Sequence, residues 1–190
     1  MKTRKVNALK TLLNILLIAI LLSACAKSGS DTKAKSVADK PKIDLQTAVI
    51  SGDLEAVKKH IEAGTDINEK EPLGGSTPLI SAATFGKIKI AKALIDAGAD
   101  LSIKNNDGST ALHAAAFFCR VEIVQMLIDA KADKILRNNF GATPRESVMG
   151  PFAEIRPIYE MMQQQLGPLG LQLDMSELEK TRPVIAMMLQ

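Results

Sequence analysis

From Leu45 onward, apolar residues recur at helical spacing in paired short bursts. Leu79, Ala82 and Ala83 predict one short helix whose small residues suit close packing. Ile88, Ala91, Leu94 and Ile95 draw an apolar stripe along a second helix, Lys87 to Ala97. The punctuation agrees with this reading. Thr77 suits an N-cap and Pro78 the first helical position, where a missing N–H costs nothing. Gly86 supplies a left-handed turn between the helices, and Gly98 ends the second. The polar stretch Ala99 to Gly108, closing on Asn106-Asp107-Gly108, predicts a hairpin-like finger.

The pattern repeats. Thr77-Pro78-Leu79 returns as Thr110-Ala111-Leu112 and again as Thr143-Pro144, each time 33 residues on. The string STPLISAATFGKIKIAKALIDAGAD (76–100) lies over STALHAAAFFCRVEIVQMLIDAKAD (109–133). An earlier copy, 48–66, aligns at an offset of 34, with the extra residue in the loop Glu69 to Gly75. Period, T-P-L start and G-A-D end together resemble the ankyrin repeat. The resemblance implies an all-α solenoid of helix-turn-helix units with short β-hairpin fingers. Each unit leaves an apolar face that only its neighbours can cover. The third copy departs from the pattern, with Cys119 in place of Gly86 and Lys131 in place of Gly98, both at left-handed positions. The fourth decays at Gly150-Pro151. A helix over Phe152 to Leu166 is expected as its second helix. Ser176 and Glu179 read as a capping box for a last helix, which Pro183 is expected to kink or restart. The domain plan is therefore a leader at 1–24, a modified Cys and linker at 25–43, repeats at 44–150, and a last repeat helix with a C-terminal helical cap at 151–190.

Ahead of the repeats the pattern is different. Leu12 to Leu22 is an apolar run of eleven residues broken only by Asn14, short of the ~20 a stable span needs. It follows a basic start and precedes Leu22-Ser23-Ala24-Cys25, a string similar to the lipobox of bacterial lipoproteins. The resemblance implies acylation of Cys25 and a lipid anchor in the cell envelope. Ala26, where an Asp would mark inner-membrane retention, favours the outer membrane. Ala24-Cys25-Ala26 also satisfies an ordinary cleavage site, so export without lipid is the alternative. Ala26 to Lys42 holds almost no large apolar residue and reads as a tether reaching about 23 Å.

The leader also changes the charge reading. The chain has 190 residues, 24 Lys and Arg against 21 Asp and Glu, and a formal charge of +3. Four of those cations, Lys2, Arg4, Lys5 and Lys10, lie in the leader. The remainder is close to neutral and slightly acidic, which argues against a nucleic-acid surface. With Cys25 modified or removed, Cys119 is the one thiol left, so no internal disulfide is expected and an inert thiol is.

Chemistry for catalysis is scarce. His113 falls in the Thr110-Ala111-Leu112-His113 string, where the family resemblance implies a framework role. His60, beside Lys58 and Lys59, reads as a solvated face residue. Neither has a partner at metal spacing, and no phosphate loop or nucleophile motif is present. No enzyme activity, metal or cofactor is expected. The aromatics carry more. Phe85, Phe117 and Phe118 close the predicted inner helices, and Phe140 sits on a finger. Lys104, Asn106, Asp107, Ser109, Arg137 and Asn139 lie on neighbouring fingers. In the family these positions make the binding face, and aromatic anchors with a polar rim suit a protein partner. Phe85 and Phe118 wedged between repeats are the competing reading. The expectation is a monomeric, membrane-tethered, periplasmic module that holds a protein of unknown identity. Alternatives are an inhibitor or immunity-type protein acting on an envelope enzyme or toxin and, less favoured, an enzyme or a tether to wall polymer.

Overall fold

The computed structural model describes residues 41–190. The leader, Cys25 and nearly all of the tether lie outside the described residues. Among the described residues eight α-helices follow in order: α1 Leu45–Ser51, α2 Leu54–Glu62, α3 Pro78–Thr84, α4 Ile88–Asp96, α5 Ala111–Phe117, α6 Val121–Asp129, α7 Phe152–Leu166 and α8 Met175–Met188. One-turn 3₁₀ segments occupy Glu146–Val148 and Gly167–Leu169.

Two layers result. The inner helices α1, α3 and α5 pack in sequence, as do the outer helices α2, α4 and α6, and each inner helix packs on the outer helix that follows it. The buried residues obey the repeat. Leu79 and Leu112, Ile90 and Ile123, and Leu94 and Leu127 are equivalent pairs at 33 residues, all at most 2% exposed. Ala48, Ala82 and Ala115 are fully buried at the crossing of successive inner helices, where a side chain larger than a methyl would separate the layers. The core is thus one continuous seam with no large aromatic in it.

Each inner helix starts on a side-chain cap. Asp44 accepts from the N–H of Thr47, Thr77 from Ile80 and Thr110 from His113. Such caps each contribute about 1 kcal/mol. Asp53 does the same for α2. Gly86 and Gly98 adopt φ of 66° and 83°, and their replacements Cys119 and Lys131 hold 52° and 66°. The third repeat therefore keeps the left-handed turns despite a Cβ at both.

Several expectations are corrected. The fingers form, but as turns: among the described residues there is no β-strand. Asn105 N–H donates to Ser109 O and Asn138 N–H to Ala142 O, a closure too short to build a ladder. His60 is 1% exposed rather than solvated. Its Nε2 donates to Ile43 O at 2.8 Å while Nδ1 faces the Thr65 hydroxyl at 3.1 Å, so it ties the N-terminal entry to α2. The cap of α8 is Asp174, which accepts from Ser176 and Glu177 N–H, and not the Ser176–Glu179 box. Pro183 does not break α8. It lies on the exposed side, and the carbonyl it leaves without an intrahelical partner belongs to Glu179, also exposed.

The C-terminal end is arranged differently from a fourth repeat. The helix over 152–166 is present, yet the helix that packs on α6 is α8. Ile185 of α8 and Leu189, its C-cap, join Val148 in the main core. Arg145 Nε donates to Ala186 O at 3.1 Å and Lys134 Nζ to Gln190 O at 2.5 Å, fixing the end of α8 to the repeats. α7 packs on α8.

Candidate protein-binding face

The fingers are joined by a hydrogen-bond pattern with the period of the repeat. Asn106 donates its backbone N–H to Gly74 O at 2.9 Å and its side-chain Nδ2 to Leu73 O at 3.0 Å. Thirty-three residues on, Asn139 donates its N–H to Asp107 O and its Nδ2 to Asn106 O, both at 2.9 Å. Lys104 Nζ adds a bond to Arg137 O at 2.9 Å. Each turn is closed from inside. Asn105 Oδ1 accepts from Asp107 and Ser109 N–H, and Asn138 Oδ1 from Phe140 and Ala142 N–H. The first finger uses a carboxylate instead: Glu71 accepts from Leu73, Gly74 and Ser76 N–H. Partial burial raises the pKa of Glu71, but these N–H donors together outweigh it and hold the carboxyl below its ordinary value.

The expected site residues therefore divide. Asn106, Asn139 and Lys104 hold neighbouring fingers together, and Ser109 belongs to the closure of its own turn. Arg137 forms an exposed pair with Glu146, Nη1 to Oε2 at 2.6 Å, and also donates to Gly141 O. Its charge is engaged within the finger, and an exposed pair of this kind contributes at most about 1 kcal/mol. Asp107 is exposed, and Phe140 is 79% exposed at the tip of the last finger. Of the expected finger residues these two are open to a partner, and the first finger adds Leu73 at 90% exposed.

The inner-helix aromatics behave differently. Phe85 is the C-cap of α3 and half-buried. Phe118 is 5% exposed and is not part of an open face. Phe117 stands edge-on to Phe118 with centroids 5.1 Å apart and lies 4.6 Å from the ring of Tyr159. Phe152 stacks with Tyr159, their centroids 6.0 Å apart. The pair Phe117 and Phe118 is thus the seat of α7 rather than a free anchor. Burial raises the pKa of the Tyr159 phenol to about 12, although Arg182 beside it pulls the other way. Cys119 sits next in the chain, its Sγ 3.9 Å from Leu178 O, and burial raises its thiol to about 11. A thiol so seldom ionised is a poor nucleophile. Sequence reading passed over Tyr159, Arg182, Glu71, Asn105 and Asn138. The last two were readable, since Asn-Asn recurs at 105 and 138 in register with the repeat.

Among the described residues no three His, Cys, Asp or Glu side chains converge as a metal set. No helix among them is long and apolar enough to cross a membrane.

The profile described as "Ankyrin repeats (3 copies)" matches residues 45–138. Those residues are ankyrin repeats. The chain is also similar to Protein phosphatase 1 regulatory subunit 27 of Homo sapiens and of Mus musculus. It is 44% identical to each over 64 residues, 34% of this chain. The match spans 41% of the length of those relatives. Among solved structures, the ankyrin repeat domain of Bcl-3, a member of the IkappaB protein family, superposes with a TM-score of 0.54 at 27% identity. That similarity covers 63% of this chain and 50% of the other. Ankyrin repeats over these residues indicate a protein–protein interaction module.

Proposed function

We propose that this ankyrin module holds one protein of the bacterial envelope, is tethered to the membrane through Cys25, and works on the periplasmic side without chemistry of its own. The observation that carries the reading is the finger row. Its turns are hydrogen-bonded to one another at a fixed period and present Asp107 and Phe140 outward. A surface held rigid before contact loses little entropy on binding, and an exposed aromatic at its tip supplies an anchor. A large apolar side chain in open solvent costs solubility, which a partner offsets by covering it. The lipobox-like string and the apolar-poor tether support the placement.

A narrower version is inhibition of an envelope enzyme. It is favoured by the human relative, whose name describes a regulatory subunit of an enzyme.

The test is periplasmic crosslinking with the intact protein, followed by identification of the captured chain. Phe140→Ala is expected to weaken capture about thirty-fold, equivalent to about 2 kcal/mol, while thermal stability stays unchanged. Lys92→Ala, whose exposed side chain pairs only with Asp96 on α4, is the control and is expected to leave capture intact. Unaltered capture by Phe140→Ala overturns the finger row as the site. Cys25→Ser is expected to abolish labelling by a palmitate analogue and release the protein from membranes. Persistence of both overturns the anchor.

A further inference from the structure

The finger row ends with its joining site empty. Three glycines occupy equivalent positions, Gly75, Gly108 and Gly141, 33 residues apart, each with φ between 68° and 77°. A methyl group on Gly75 would collide with the side chain of Asn106 from the next finger. One on Gly108 would collide with the side chain of Asn139. The same methyl group on Gly141 would meet nothing within 4 Å. Gly141 thus forms the same cradle with no asparagine in it. The two carbonyls that accept in the earlier fingers, Leu73 with Gly74 and Asn106 with Asp107, have their counterparts in Asn139 and Phe140. No described residue donates to either. The cause lies in the cap. The segment Gly167 to Asp174 runs from α7 into α8 without building a fourth finger.

We propose that the open edge of the last finger, Asn139-Phe140-Gly141, is a docking site for an asparagine-bearing turn of a partner protein. The chemistry is specified by the two joints already present. The incoming residue donates its backbone N–H to Phe140 O and its side-chain amide to Asn139 O, and its side chain covers Gly141. Aspartate has no side-chain N–H and cannot make the second bond. Phe140, 79% exposed, flanks the edge where the earlier fingers carry Gly74 and Asp107, and gives the visitor an apolar wall.

A second copy of this chain does not fit the site. Each of its described asparagines already uses the backbone N–H that the site needs: Asn68 donates it to Asp66 Oδ1, Asn105 to Ser109 O, Asn106 to Gly74 O, Asn138 to Ala142 O and Asn139 to Asp107 O. Its first finger carries Leu73 where the amide is needed, and the N–H groups of that turn lie on Glu71. The occupant is therefore a foreign turn. This deepens the protein-binding reading and rests on it.

The probe is a cyclic peptide of Lys104–Thr110, the finger that carries one of the native asparagine joints. It is titrated into the ¹⁵N-labelled full chain. Shifts are expected at the amides of Phe140, Gly141 and Ala142, with an affinity in the millimolar range suited to a two-bond contact. Changing the asparagine equivalent to Asn106 to Asp within the peptide is expected to weaken binding about tenfold, as is Gly141→Ala in the protein. The peptide change decides the matter even if Gly141→Ala fails to fold, since it leaves the protein untouched. Equal binding by the Asp peptide, or shifts confined to another surface, overturns the proposal. So does a concentration-dependent dimer that Gly141→Ala abolishes, because it seats a second copy on the edge. If the peptide does not bind while crosslinking still captures a protein, this docking site falls and the protein-binding reading stands.

Discussion

Tyr159 donates its hydroxyl proton to the carbonyl oxygen of Phe117 at 2.7 Å, joining α7 to the end of the third inner helix across 42 residues. The Tyr159 hydroxyl oxygen in turn accepts from Arg182 Nη1 at 2.9 Å, and the guanidinium stands 6.0 Å over the ring. Arg182 is only 4% exposed. One phenol therefore connects three elements and solvates a buried cation.

Removing that oxygen is expected to cost more than a hydrogen bond between neutral groups. Tyr159→Phe keeps the ring and its packing but leaves Arg182 without its partner. The expected loss is about 1–3 kcal/mol in urea unfolding, toward the upper end because the donor is charged. Tyr159→Phe combined with Arg182→Met is expected to recover part of it. No recovery in the double variant would show that the pair is not the source.

Phe117→Ala follows from the same cluster. It removes a ring wedged between Phe118 and Tyr159, so a loss of about 3–5 kcal/mol is expected, with α7 loosened first. Amide exchange of α7 should rise before that of α3. An unchanged unfolding midpoint would place Phe117 outside the cap packing.

The repeats were legible for a physical reason. Thr77 and Thr110 mark starts, Leu94 and Leu127 mark core, and identical neighbours impose identical roles, so one repeat explains the next. The end of the stack has no such neighbour. Nothing at period 33 points to Tyr159, and Asp174 lies two residues ahead of a more conspicuous Ser-x-x-Glu string. Both act through contacts peculiar to the cap. The finger residues were found by position but not by role. Asn106 and Asn139 look like a polar rim until the spacing of one repeat in space brings each amide onto the preceding carbonyl. His60 misled because flanking lysines say nothing about which way one helix face turns, and that face meets Ile43 from the segment that leads into α1.

Lys131 offers a stabilising change. It holds φ of 66° on an exposed side chain for which no bond is formed, where its equivalent is Gly98. A Cβ in the left-handed region costs roughly 1–2 kcal/mol, and glycine returns part of that as backbone entropy of the unfolded chain. Lys131→Gly is expected to stabilise by about 0.5–1 kcal/mol and raise Tm by roughly 1–4 °C. A lowered Tm would mean that the lysine makes a contact of value.

His113 makes the fold sensitive to pH. Its Nδ1 accepts from Thr110 N–H at 3.2 Å, so the neutral ring carries its proton on Nε2, 3.1 Å from Ala142 O. The ring thereby links the cap of α5 to the end of the last finger. Protonation adds a hydrogen at Nδ1 and removes the acceptor that the Thr110 N–H needs. Burial lowers the pKa of His113 below 6.5, the charge of Lys104 lowers it further, and the carbonyls of Ala142 and Leu136 oppose this only in part. A histidine with a depressed pKa binds its proton more readily when unfolded, so stability is full above the unfolded value near 6.5. It falls as pH drops from there toward the folded value. Asp44, Glu71, Asp100 and Glu146 are also depressed, from ordinary values of 3.8 or 4.5, and act only at more acidic pH. Between pH 7.5 and 5 the slope therefore belongs largely to His113. Urea midpoints are expected to fall across that window in the native protein and to flatten in His113→Gln, which is less stable at neutral pH but has no ring to titrate. A slope that survives the substitution would move the sensor to another group.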